Sequence, residues 1–88
     1  MVGLWVSMTV SVSFYSYFKD LTGAEQTSES LPAGSTLGAL HDRLAARFPK
    51  LAAMRKSTLL AVGVEYQSRD YVLRDGDTVS LFPPVQGG

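Results

Sequence analysis

The residues best placed for chemistry are the last ones. The chain of 88 residues closes on Gly87-Gly88, after an apolar run and two prolines, Val79-Ser80-Leu81-Phe82-Pro83-Pro84-Val85-Gln86. Lacking Cβ atoms, glycines take backbone conformations closed to other residues and pass through narrow slots. A free carboxylate on Gly88 would therefore sit at the tip of a slim arm able to enter another protein's channel. Carboxylates are poor electrophiles and become useful once an enzyme activates them, for example as an acyl-adenylate made with Mg-ATP. Pro83 and Pro84 fix φ, withhold two N–H donors and stop a strand from continuing. Beyond them, residues 85–88 reach on the order of 13 Å when extended, at about 3.4 Å per residue. Gly88 is thus the candidate covalent site, with Pro83, Pro84, Val85, Gln86 and Gly87 as the inserting tail. The plain alternative is an inert end, since termini fray and tolerate glycine.

Little else in the chain competes for an active site. There is no cysteine, hence no thiolate nucleophile, disulfide or zinc-thiolate centre, and one histidine cannot build a metal cluster. No phosphate-binding glycine loop is present, because Ala33-Gly34-Ser35 lacks the required lysine and glycine spacing. Asp75 and Asp77 are explained by the Asp75-Gly76-Asp77 turn. The reading is a chain without catalytic residues of its own, without a metal and without a permanently bound cofactor. Eight basic and eight acidic residues give a formal net charge of zero, so no global field draws the chain to nucleic acid or an anionic membrane. The apolar start, Met1 to Ser7, has no positive flank and is far short of a span. A cytoplasmic location is expected.

Eighty-eight residues suffice for one domain around one core, with 1–8 as a candidate N-terminal extension and 83–88 as a flexible tail. Leu4, Val6, Met8, Val10, Val12 and Phe14 alternate with polar residues from Ser7 onward, the period of a half-buried strand. Tyr15 would fall on its outer face. A turn through Lys19-Asp20-Leu21-Thr22-Gly23 leads to a second, weaker strand over 25–31. Ser35 or Thr36 caps a helix whose stripe is Leu37, Leu40, Leu44 and Phe48, with Asp42, Arg43 and Ala46 opposite, and Pro49 ends it. His41 stands at the edge of the stripe, a place usually taken by a packed or solvated surface histidine. Residues 50–57 connect to a third strand over 58–64, then a polar link over 65–69, a short apolar piece at Tyr71-Val72-Leu73, and a last strand over 78–82. One main helix on one face of a mixed sheet of four to five strands is a two-layer α+β domain.

The run from Asp75 through Gly88 closely resembles the ending of the MoaD/ThiS sulfur carriers, the family of the small subunits of molybdopterin synthases. Phe14 to Gly23 is similar to the family's first strand and turn, and Leu60-Ala61-Val62 with Glu65 to its third strand. The resemblance covers roughly residues 9–88 and implies a ubiquitin-like β-grasp fold. It further implies a cycle in which an E1-like, MoeB-like adenylyltransferase uses ATP and Mg to join AMP transiently to Gly88. A sulfurtransferase system would then convert that end to a thiocarboxylate. The tail would enter a large, MoaE-like catalytic subunit, and sulfur would pass to cyclic pyranopterin monophosphate during molybdopterin synthesis. Lys19-Asp20 stands where the family commonly has Arg-Glu, a departure that bears on partner contacts.

Phe82, Val85 and Tyr15 are candidates for an apolar docking patch around the tail, or for edge packing. Lys19, Lys50, Arg55 and Lys56 could add electrostatic guidance. Three other readings share the terminal glycines: a sulfur carrier for thiazole, cysteine or methionine biosynthesis, a ubiquitin-like modifier joined to lysines, and an interaction domain with an inert tail.

Overall fold

The computed structural model describes residues 7–84 of the chain. The expected alternation forms β1 (Ser7–Phe14), in which Met8, Val10, Val12 and Phe14 are buried while Ser7, Thr9 and Ser11 face solvent. Leu4 and Val6, together with the rest of the candidate N-terminal extension before Ser7, lie outside the described residues. Next come α1 (Phe18–Thr22), β2 (Gln26–Pro32), α2 (Leu37–Arg47), α3 (Pro49–Ala52), β3 (Leu59–Val62), β4 (Glu65–Tyr66) and β5 (Thr78–Phe82). The five strands lie in the order β2-β1-β5-β3-β4. β1 and β5 run parallel at the centre, while the β1/β2, β3/β5 and β3/β4 pairs are antiparallel. The sheet is therefore mixed, as expected, with its helices on one face.

Thr36 caps α2: its hydroxyl oxygen accepts from the Ala39 N–H at 3.1 Å, satisfying one orphan donor of the first turn. Leu37, Leu40 and Leu44 are fully buried against the sheet, and Phe14 meets Phe48 edge to face with centroids 5.6 Å apart. A second tie joins helix and sheet. Glu29 of β2, with a side chain only 8% exposed, accepts from Arg43 at 2.9 Å and from Arg47 at 2.6 Å, both on α2. Ionised acceptors make hydrogen bonds roughly twice as strong as neutral ones, so the pair of arginines holds α2 in register over β2.

Several expectations are corrected. The Lys19-to-Gly23 turn is instead the short helix α1, because Phe18 is drawn into the core and Gly23, at φ 76°, adopts the left-handed cap that returns its N–H to Lys19 O. Pro49 does end α2, yet it also occupies the first turn of α3, where its missing N–H is harmless. The third strand stops at Val62. Gly63 turns the chain at φ 61°, leaving Val64 99% exposed at a hairpin tip rather than within the strand. The supposed polar link begins with β4, which pairs Tyr66 with Ala61 and Glu65 with Val62. Tyr71-Val72-Leu73 forms no strand; Val72 makes a single bridge to Thr36, and Leu73 is buried.

Candidate functional site

The tail leaves from the middle of the sheet. Val79 and Leu81 of β5 point into the core, so the alternation of a strand turns Phe82 to the opposite, helix-free face. Phe82 pairs with Leu59, the first residue of β3, and Pro83 and Pro84 follow in no regular structure. Just past β1, the Tyr15 N–H donates to Leu81 O at 3.1 Å, pinning that residue beside the end of β5. The Tyr15 ring then stacks on Phe82, with centroids 4.6 Å apart and planes at 14°. Tyr66 meets Phe82 from the other side, edge-on at 6.3 Å and 70°.

This aromatic row is the main feature at the base of the tail. Tyr15 is 44% exposed and Tyr66 68% exposed, whereas Ser7, Thr9 and Ser11 make the same face of β1 polar. Phe82 and Tyr15 thus come together as the sequence suggested. Tyr66 was missed because a two-residue strand carries no periodicity; the signal was Gly63, whose turn folds β4 back onto β3. Val85, Gln86, Gly87 and Gly88 lie outside the described residues.

The four basic candidates do not gather in one place by sequence element. Lys19 stands on α1 and Lys50 on α3, both exposed, while Arg55 and Lys56 occupy the turns that follow α3. Arg55 is already engaged, its Nε 3.0 Å from Asp42 Oδ1. Arg69, which the sequence reading passed over, reaches the same oxygen at 2.9 Å. That contact, chiefly the Arg69 hydrogen bond, holds the Asp42 carboxyl below the usual carboxylate range.

His41 departs from expectation too. It is not a boundary residue but is 2% exposed, and Arg69 Nη1 donates to its Nδ1 at 3.2 Å. Burial first, then the Arg69 charge, lower its pKa to about 4; Asp42 pulls the other way, and Arg55 adds a weaker push downward. It is neutral at pH 7. Among the described residues no three His, Cys, Asp or Glu side chains group as metal ligands, and no helix is long and apolar enough to cross a membrane.

Known proteins share both this pattern and this fold. The Escherichia coli molybdopterin synthase sulfur carrier subunit is 37% identical over 81 residues, covering 90% of this chain and 99% of that protein. Its Arabidopsis thaliana counterpart is 29% identical over 82 residues, covering 93% and 85% of the two chains. Among solved structures, a putative molybdopterin converting factor, subunit 1, from Pyrococcus furiosus superimposes with a TM-score of 0.82 at 29% identity, covering 89% of this chain and 99% of that one. The small archaeal modifier protein SAMP1 of Haloferax volcanii shares the fold, with a TM-score of 0.81 at 19% identity and coverage of 91% and 99%. The sequence pattern of the ThiS family matches residues 12–88, from the middle of β1 through the terminal glycines. With that match and the ubiquitin-like β-grasp architecture, the chain belongs to the ThiS family.

Proposed function

We propose that the chain is the sulfur-carrier subunit of a molybdopterin synthase, and that Gly88 carries the sulfur. The observation that bears most weight is the Escherichia coli relative, which is matched along 99% of its length. In the proposed cycle an E1-like adenylyltransferase lets the Gly88 carboxylate attack the α-phosphate of ATP, with Mg assisting and pyrophosphate leaving. A sulfurtransferase system then supplies the sulfur that displaces AMP, leaving a thiocarboxylate. The large catalytic subunit receives the tail, and sulfur moves from Gly88 to cyclic pyranopterin monophosphate. The carrier itself contributes no catalytic group, holds AMP and sulfur only transiently, and works in the cytoplasm.

Two features of the chain support this division of labour. A strand at the centre of a sheet is a rigid launching point, and β5 is held on both sides, by β1 and by β3. The row of Tyr15, Phe82 and Tyr66 gives a partner an apolar surface where the tail departs. Aromatic anchors of this kind dominate binding energy at protein interfaces.

The experiment is to incubate the chain with an adenylyltransferase, ATP and a sulfur donor shown to be competent on another carrier, then measure the intact mass. Exchange of one oxygen for sulfur, lost on deletion of Gly88, is the expected result. An unchanged mass would refute the carrier role, and isopeptide conjugates in cell extract would indicate a modifier instead.

A further inference from the structure

On the helix side of the sheet, across from the Tyr15, Phe82 and Tyr66 row, lies a cavity of about 580 Å³. Its walls are His41 from α2, Ala52 and Ala53 at the end of α3, Arg55 and Lys56 from the turns beyond, Thr58 and Leu60 at β3, and Arg69. The volume lies within the usual range for small-molecule sites, about 300–1,000 Å³.

The polar groups lining it are rich in donors and poor in acceptors. Arginine has only N–H donors, so the Arg69 contact requires His41 Nδ1 to be the acceptor. The proton of neutral His41 therefore sits on Nε2. That Nε2 is buried and has no partner among the described residues. A buried donor left unpaired is costly, but this one is closed to solvent, so His41 walls the cavity as a neutral ring rather than as a donor to a ligand. Thr58 adds no free donor, since its hydroxyl already donates to Met54 O at 2.7 Å. Arg55 makes its one ion pair through Nε, and Lys56 has none among the described residues.

Charge defines the ligand further. Arg55, Lys56 and Arg69 contribute three positive charges. Among the described residues the only carboxylate bonded to any of them is Asp42, whose single oxygen Oδ1 serves both arginines. The balance is two positive charges with His41 neutral, which a dianion would neutralise and a single carboxylate would not. Ala52, Ala53 and Leu60 supply an apolar wall beside the charged one.

We propose that this cavity is a binding site for the phosphate monoester of a small organic molecule, with Arg55, Lys56 and Arg69 on the phosphate, the neutral His41 ring in the wall, and the organic group against Leu60 and the alanines.

The test is an NMR titration of the uniformly ¹⁵N-labelled full chain at low salt and neutral pH, with phenyl phosphate, inorganic phosphate and phenylsulfonate as probes. Phenyl phosphate should give saturable shifts confined to the amides of residues 52–58 and 69 and to the His41 ring. Inorganic phosphate should bind several-fold more weakly for want of the apolar contact, and phenylsulfonate, with one charge fewer, about tenfold more weakly, the ratio that 1.4 kcal/mol produces. Lys56→Gln is the main variant, because Lys56 is exposed and its loss breaks no bond of the fold; it should weaken phenyl phosphate about tenfold. Arg69→Gln serves as a second variant, interpreted only if its spectrum stays dispersed, since Arg69 is tied to Gly38 and Asp42. Shifts that do not saturate, equal affinity for all three probes, or an unchanged affinity in Lys56→Gln would each overturn the proposal.

Discussion

Between pH 6.5 and pH 4, His41 should make the fold acid-sensitive. Its pKa is lowered from 6.5 to about 4 in the folded chain, so the unfolded chain binds the proton first. The associated stability is fully present above the unfolded value and is lost as pH falls toward the folded one. Because the ring is 2% exposed, solvent screening takes little away. Linkage between those two values gives a loss of about 2 kcal/mol at pH 5 and about 3 kcal/mol at pH 4, after which the loss levels off. A chain of this length holds on the order of 5–10 kcal/mol in total, and each kcal/mol moves the melting temperature by about 4–8 °C. The drop at pH 5 should therefore be unmistakable in a thermal melt. The assay is a series of urea unfolding curves from pH 7 to pH 4 on the wild type and on His41→Leu, which cannot titrate at that position. Arg69 is 45% exposed, so water can replace the acceptor it loses. Carboxylates contribute little to the slope above pH 5, so the window from 6.5 to 5 isolates the histidine. Parallel curves for the two chains across that window would refute the argument.

Three substitutions probe the rest of the scaffold. Gly38→Ala should destabilise the fold although alanine favours helix by about 1 kcal/mol. The new Cβ would stand 3.0 Å from Arg69 Cβ and 3.1 Å from its guanidinium carbon, and the Gly38 N–H bond to Arg69 O at 2.9 Å resists separation. A urea midpoint at or above wild type would contradict this. Phe82→Ala should weaken binding to the large catalytic subunit by about 30-fold or more, the effect of losing an aromatic anchor worth about 2 kcal/mol. Its stability loss should be smaller than that of Leu81→Ala, which empties a fully buried site and should cost about 2–5 kcal/mol. Calorimetric titration and urea unfolding of both variants separate the two effects, and equal affinities would remove Phe82 from the docking surface.

Where period and length were strong, the sequence was easy to read. Met8 to Phe14 alternate over a whole strand, and Leu37, Leu40 and Leu44 mark three turns of α2, so both core faces were visible without coordinates. Short elements were not. The helices at 18–22 and 49–52 and the two-residue strand at 65–66 are too brief to show a period. They exist because the surrounding core and the left-handed glycines at 23 and 63 fold them into place. Glu29 illustrates the same limit. In sequence it is one more polar residue in a Ser- and Thr-rich strand, and only the packing of α2 over β2 turns it into a buried acceptor for two arginines.

The sequence by itself determined the residue types that follow the last strand: prolines at 83 and 84 that stop it, glycines at 87 and 88 without Cβ atoms, and no cysteine anywhere in the 88 residues, because those properties belong to residue types and their order. Tertiary structure alone decided what surrounds them. Tyr15, Tyr66 and Phe82 are separated by up to 67 positions and meet only because β1 and β3 flank β5 and β4 folds back on β3. His41 of α2, Arg55 from the turn after α3 and Arg69 from the turn after β4 likewise converge, and their charges and burial act on one another through space, where spacing along the chain leaves no trace.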